Sequence, residues 1–425
     1  MFNGISSSEG KGGAIYNTQD NRDVNINADF IGNSATFVGS AYGGVIYNDD
    51  SGIIGNITGN FIGTSSASPY FYGGVIYNDG TIGNITGDFI RNSAAASSAV
   101  SSGGAIDNRG TIGDITGNFI RNSATSSSMS NGGAIYNKST IGDITGNFIG
   151  NTAGKGGAIF NSGTIGNITG DFIGNYASGN YAAGGAINNY DTINITGNFL
   201  NNYSRATRTG NVALGGAVYT AKKMTFAAGE QKTYFMSGNY TLGRSYNKRY
   251  NAIFVETGAS GEVPVITFDT AGGGAWVIND NIEGGKNSNN VINYATRYNL
   301  AFTGDGVLNE DGLTDQYVAI NNDIVNAGEV TVEGTTLRFG AYRHEDKTAN
   351  NRDGHGRFLA ALKADGTADL DAEAVTSLSL NNAAFDLYNK YQDMVNLKGW
   401  KASGDSFLHV DVDVENLTAD MLNVN

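Results

Sequence analysis

A Gly-Gly pair followed by a small and then a branched residue begins eight times, at Gly12, Gly43, Gly73, Gly103, Gly132, Gly156, Gly184 and Gly215. The intervals are 31, 30, 30, 29, 24, 28 and 31 residues, and the hexamers run from GGAIYN at 12–17 to GGAVYT at 215–220. No other feature of the chain restricts its fold as strongly. A unit this short cannot bury an apolar face by itself, so stability requires each unit to cover the next.

A second motif answers the first. It reads TIGNITGDFIRN at 81–92, TIGDITGNFIRN at 111–122 and TIGNITGDFIGN at 164–175, with looser copies at 23–33 and 191–202. Apolar or glycine positions alternate with polar ones through Ile85-Thr86-Gly87-Asp88-Phe89, the period of a strand with one buried face. Between residues 10 and 220 no helical period is sustained. The expected fold is all-β, a right-handed parallel β-helix with about three short strands per coil. Stacking would align Ile106 and Ile135 in one interior ladder, Phe89, Phe119 and Phe148 in a second, and Asn78, Asn108 and Asn137 in an amide ladder. Longer units carry extra residues at 34–42, 65–72, 93–102, 123–131, 176–183 and 203–214. All precede the next Gly-Gly, so they are expected to emerge as loops on one side, where their removal would cost little stability.

Composition narrows the function. There are 62 Gly, 2 Pro and no Cys in 425 residues. Without Cys there is no disulfide framework, thiolate metal site or thiol nucleophile. Lys and Arg number 26 against 40 Asp and Glu, giving a net charge of −14. With no basic run to neutralise phosphates, a nucleic-acid partner is set aside. No segment reaches the roughly 20 apolar residues of a membrane-spanning helix.

Catalysis on a β-helix needs clustered carboxylates on an open face, usually with a cation or base. Asp88, Asn118, Asn147, Asp171 and Asn198 exchange acid for amide at one repeat position without a basic partner, as a solvated ladder would. Asp365, Asp369, Asp371 and Glu373 lack calcium-loop spacing and read as a surface turn. His409, Asp411, Asp413 and Glu415 alternate with valines and read as the wet face of a strand. His344 and His355 flank a polar stretch that reads as an exposed loop. Glycosylation triplets at Asn56, Asn84 and Asn167 fall inside the repeat and are by-products of it. The expectation is therefore no enzyme, no cofactor and no metal. A glycan-processing enzyme and a passive stalk are the alternatives.

Contact with a partner falls instead to the Ser-, Ala- and Tyr-rich segments, a composition that suits adaptable binding. Tyr70, Phe71, Tyr72, Tyr176 and Tyr181 are the candidate ligand-contact residues. Tyr16, Tyr47, Tyr77 and Tyr136 are expected to form an outward stripe, read first as an aromatic ladder that stabilises stacked strands and only second as a contact surface.

The paired Gly-Gly-Ala-Ile and Phe-x-x-Asn repeats, the latter at Phe30…Asn33, Phe89…Asn92, Phe119…Asn122, Phe148…Asn151, Phe172…Asn175 and Phe199…Asn202, resemble those of chlamydial polymorphic outer-membrane proteins and related bacterial autotransporter passengers. Only Phe61…Thr64 departs from the pattern. The resemblance covers about half the chain. It implies regular coils over 1–225, degenerate coils over 226–340, and late coils with a C-terminal folding cap over 341–425, the cap at Phe407–Asn416 and Leu417–Val424. It further implies export to the bacterial outer-membrane surface, anchoring by a β-barrel outside this sequence, and attachment to a host or matrix surface, a glycan or another copy of the chain.

Overall fold

The structure is a computed structural model that describes residues 1–21, 24–98, 100–208, 211–229, 231–243, 248–258, 261–288, 291–363, 367–370, 376–389 and 400–412. Every regular element among them is a β-strand. Long parallel sheets of regularly spaced strands run through the molecule, the arrangement of a parallel β-helix. The chain divides into two compact units, Met1–Asn194 with Asn201–Thr220, and Ile195–Leu200 with Ala221–Asn425.

In the first unit, equivalent residues of successive repeats lie directly opposite one another. Ile15, Ile46, Ile76, Ile106, Ile135, Ile159, Ile187 and Val218 pair in parallel register, in sequence order. Phe30, Phe61, Phe89, Phe119, Phe148 and Phe172 do the same. Phe2 adds an earlier rung, its ring stacked 5.0 Å from that of Phe30. Rings from Phe89 to Phe172 stack 4.8 Å apart and are wholly buried. That separation is the spacing of neighbouring strands, so ring stacking and backbone pairing satisfy one geometry.

Two amide ladders line these cores. Asn78 Nδ2 donates to Asn108 Oδ1 at 2.9 Å, and Asn108 Nδ2 to Asn137 Oδ1 at 2.9 Å. The Phe-x-x-Asn residues build the second ladder, which the sequence reading did not identify. Asn122 Nδ2 donates to Asn151 Oδ1 at 3.0 Å and to the Phe89 carbonyl at 2.9 Å. All these side chains are buried, and each corner amide is satisfied only because the same residue recurs one coil away. The glycine pairs are equally constrained. Gly103 has φ of 59°, and a Cβ on Gly104 would lie 2.0 Å from the Gly133 carbonyl oxygen.

Corners at Gly and Asn split each coil of this unit more finely than three strands. The unit from Gly73 contains Ile76–Asn78, Thr81–Ile82, Ile85–Thr86, Phe89–Ile90, Ser93–Ala96 and Val100–Ser102. In the second unit the corners are wider apart and strands are longer. Val265–Asp269, Ala275–Ile278 and Asn281–Ser288 make one coil, and Tyr298–Thr303, Tyr317–Ile320 and Asp323–Val325 lie in parallel register on it. Phe407–Val412 pairs with Ala384–Asn389. The expected cap residues Leu417–Val424, with Asp365, Asp371, Asp413, Glu373 and Glu415, lie outside the described residues.

Candidate ligand-contact surface

The extra residues of the long repeats are not loops. Ser65–Ser68 pairs with Ser93–Ala96, and that with Ser123–Ser126, as one parallel sheet. Ser40–Tyr42, Tyr70–Tyr72, Val100–Ser102 and Met129–Asn131 form a second sheet outside it. The two packed layers form a fin. Small residues fill the narrow space between them, with Ala41, Phe71 and Ala94 forming a buried cluster and Ser101 Oγ donating to the Ala94 carbonyl at 2.7 Å. The Ala and Ser content therefore has a packing cause, where the sequence reading took it for binding composition.

This fin changes the fate of the tyrosine stripe. Tyr16 is exposed, but Tyr47 and Tyr77 are buried under Tyr42 and Tyr72 of the outer sheet, and Tyr136 is buried against Phe160 and Lys138. Tyr42 meets Tyr77 edge-on at 4.9 Å and stacks on Tyr72 at 5.3 Å. Burial, as the largest cause, and nearby carboxylates raise the pKa of Tyr47 and Tyr77, keeping their hydroxyls protonated. At the stripe position of the fourth hexamer stands Asp107, buried, its carboxylate bonded by Ser102 Oγ and by Arg109 Nε at 3.0 Å. The Arg109 guanidinium sits 5.3 Å over Tyr77, the place a ring would occupy. Asn188 breaks the stripe again, and Tyr190 reaches Phe160 and Tyr219 at 5.6 and 5.9 Å. Twice, a side chain two residues on replaces a missing ring.

The five candidate contact residues thus separate. Phe71 is wholly buried and is not a contact residue, since it faces the space between the fin's layers. Tyr72 is half-buried in the stack with Tyr42, and Tyr176 stacks on Tyr203 at 4.2 Å. Tyr70 at 41% and Tyr181 at 62% relative exposure stand in solvent. Phe37, Val38 at 90%, and Met129 share their setting on the variable segments, and none was singled out from the sequence. Five of the six segments contain no charged residue, the exception being 203–214 with Arg205 and Arg208. The fin is a partly apolar surface free of acidic side chains on a strongly acidic chain.

Elsewhere the first unit displays engaged polar ladders. Asp88 Oδ1 accepts the Asn118 N–H at 2.7 Å, and Asn118 Oδ1 accepts that of Asn147 at 3.0 Å. Asn56 Oδ1 similarly accepts the Asn84 N–H at 2.8 Å. These groups complete backbone hydrogen bonds at corners where no strand partner exists.

The second unit holds buried ionisable groups that the sequence reading missed. Glu283 is buried against Arg249, with Tyr294 Oη donating to it at 2.8 Å and Asn251 Nδ2 at 2.9 Å. Asp323 pairs with Arg357 at 2.6 Å, and burial raises its pKa against the opposing guanidinium. His344 is not on an exposed loop. It is buried, its ring centroid 3.3 Å from that of Tyr250, with Nε2 2.9 Å from the Asn279 carbonyl oxygen and 3.4 Å from Asp280 Oδ1. Burial raises Asp280 to about 7 and lowers His344 to about 4. The hairpin of Ala341–Arg343 with Asp353–His355 carries His344 inward where it leaves the strand. A general acid or base needs an open path to substrate, whereas these groups are occupied and enclosed. No group of three or more His, Asp or Glu side chains suited to a metal occurs among the described residues.

No family model, no curated protein and no solved structure matches this chain.

Proposed function

We propose that this chain is an exported, adhesin-like solenoid displayed at a bacterial surface, which attaches to a host or matrix surface, a glycan or another copy of itself through its fin. One observation carries this reading. Five of the exposed large apolar side chains of the first unit, Phe37, Val38, Tyr70, Met129 and Tyr181, stand on the variable segments that build the fin. Apolar groups gathered on one side without acidic residues mark a contact surface more than a solvated one. The repeat likeness to autotransporter passengers supports export and display. Catalysis is no part of this reading; the buried carboxylates described are paired with cations or amides in the interior, which supports a contact surface over an active site.

The test exchanges Val38, Tyr70, Met129 and Tyr181 together for Ser and keeps Phe71. Cells displaying the parent or the variant are compared for attachment to host-cell layers and matrix coatings, and for autoaggregation. At least a tenfold loss is expected, about 1.4 kcal/mol of binding free energy. A variant that folds and attaches as the parent does would leave the passive stalk as the better account.

A further inference from the structure

The fin has a step. Its variable segment shortens to four residues, 152–155, between neighbours of nine residues at 123–131 and eight at 176–183. The outer sheet ends at Met129–Asn131. Beyond it, Lys155 continues the column by single bridges, to Asn131 on one side and Ala183 on the other. At this level Phe160 is only half-buried, although Tyr136, its partner one coil earlier, is covered. Tyr190 lies against Phe160 and is 37% exposed.

Two polar groups at the step lack partners. Asn131 and Asn188 are more than nine-tenths buried, yet neither Oδ1 accepts a hydrogen bond. Asn131 is the bridge partner of Lys155, and Asn188 is in register with Phe160. A buried acceptor left unmade costs about 1–3 kcal/mol, and a donor brought to this coil from outside the chain would relieve that cost. Lys155 is half-buried and makes no ion pair among the described residues, and burial lowers its pKa. It is also the only charged residue of its segment.

We propose that this step binds an acidic sugar unit of a glycan. A uronate-type pyranose supplies what each group lacks: hydroxyl donors for Asn131 and Asn188, a carboxylate for Lys155, and an apolar ring face for Phe160 and Tyr190. A phosphate brings negative charge but few donors for two carboxamide oxygens. A neutral sugar brings donors but leaves the ammonium unpaired. The inference rests on the reading of the fin as the contact side and names one partner chemistry for it.

The test uses the purified full chain and a tetrasaccharide alternating glucuronate with N-acetylhexosamine, titrated calorimetrically beside its carboxyl-reduced counterpart and inorganic phosphate. Lys155→Met keeps the aliphatic stem, and an unchanged melting temperature establishes that the variant is folded. The expected result is binding of the acidic tetrasaccharide at least tenfold tighter than the reduced one, with that preference lost in Lys155→Met. Asn188→Leu should weaken both sugars. Equal binding of the two sugars, an unaffected Lys155→Met, competition by phosphate at equal affinity, or no binding at millimolar sugar would each overturn the proposal. The two readings fail separately. Loss of attachment in the Ser variant without sugar binding retains the fin and removes the sugar site. Sugar binding beside unaltered attachment does the reverse.

Discussion

Asp280 puts a carboxylate at a ladder position held by amides except at Thr64, and that exchange ties stability to pH. It accepts from Asn239 N at 2.8 Å, Asn239 Nδ2 at 2.8 Å and Gly238 N at 3.1 Å. Asn175 Oδ1 receives the same pair of donors from Asn151, at 3.0 and 3.0 Å, without a charge. Because burial raises Asp280 to about 7, the folded state holds a proton that the unfolded chain releases near 4. Its contribution is complete below about pH 4 and is lost as pH rises through 7. His344, lowered to about 4 from an ordinary 6.5, acts in the opposite sense: its contribution is present above 6.5 and lost as pH falls through 4. Between pH 4 and 6.5 the two slopes offset one another. Asp280→Asn should therefore unmask a rise in stability from pH 4 to 6.5, and should exceed the parent at pH 8 by up to about 4 kcal/mol, three units at 1.36 each. Urea unfolding at several pH values measures this. A variant weaker than the parent at pH 8 would mean that the fold favours the ionised carboxylate, so that burial does not raise its pKa.

At the level of elements, the strands that carry the repeat were legible because each residue's role depends on its own motif. Ile106 faces Ile135, and Phe119 faces Phe148, for the same reason that they recur: identical residues stack without strain. The variable segments were not legible, because nothing in Ser65–Tyr72 itself marks a strand. Their pairing is set by neighbours about 30 residues away. Tyr77 was misread as outward for a related cause. Period-two alternation assigns a side of the strand, and the outward side here is covered by a second layer. The same layer revises what a deletion would do. Removing 123–131 would strip two paired strands from the fin, so it is no longer expected to be neutral. Single changes at the surface are the cleaner contrast. Phe119→Ala, inside a stack of rings, should cost about 3–5 kcal/mol. Tyr70→Ser, with its ring in solvent, should cost no more than about 0.5 kcal/mol. Denaturant midpoints decide between this arrangement and one in which both residues bear on the core equally.

For the whole molecule, the distribution of charge matters more than its total. The chain carries −14, yet the segments that build most of the fin carry none. Two copies meeting fin to fin would bring no opposed charges into contact, but their acidic remainders would repel at a distance. That repulsion is long-ranged in dilute salt and shrinks as the screening length falls to about 10 Å at 0.1 M. Apolar contact through Val38, Tyr70 and Met129 is not screened, so self-association by this route should strengthen as salt rises. Binding of an acidic sugar at Lys155 has the opposite dependence, because its one strong attraction is a charge pair partly open to solvent. Sedimentation of the purified chain at 10 and 300 mM salt, with and without the acidic tetrasaccharide, separates the two modes. Oligomers should grow with salt while the apparent sugar affinity falls. Oligomers that instead dissolve at 300 mM would place the self-contact on charged residues, away from the fin.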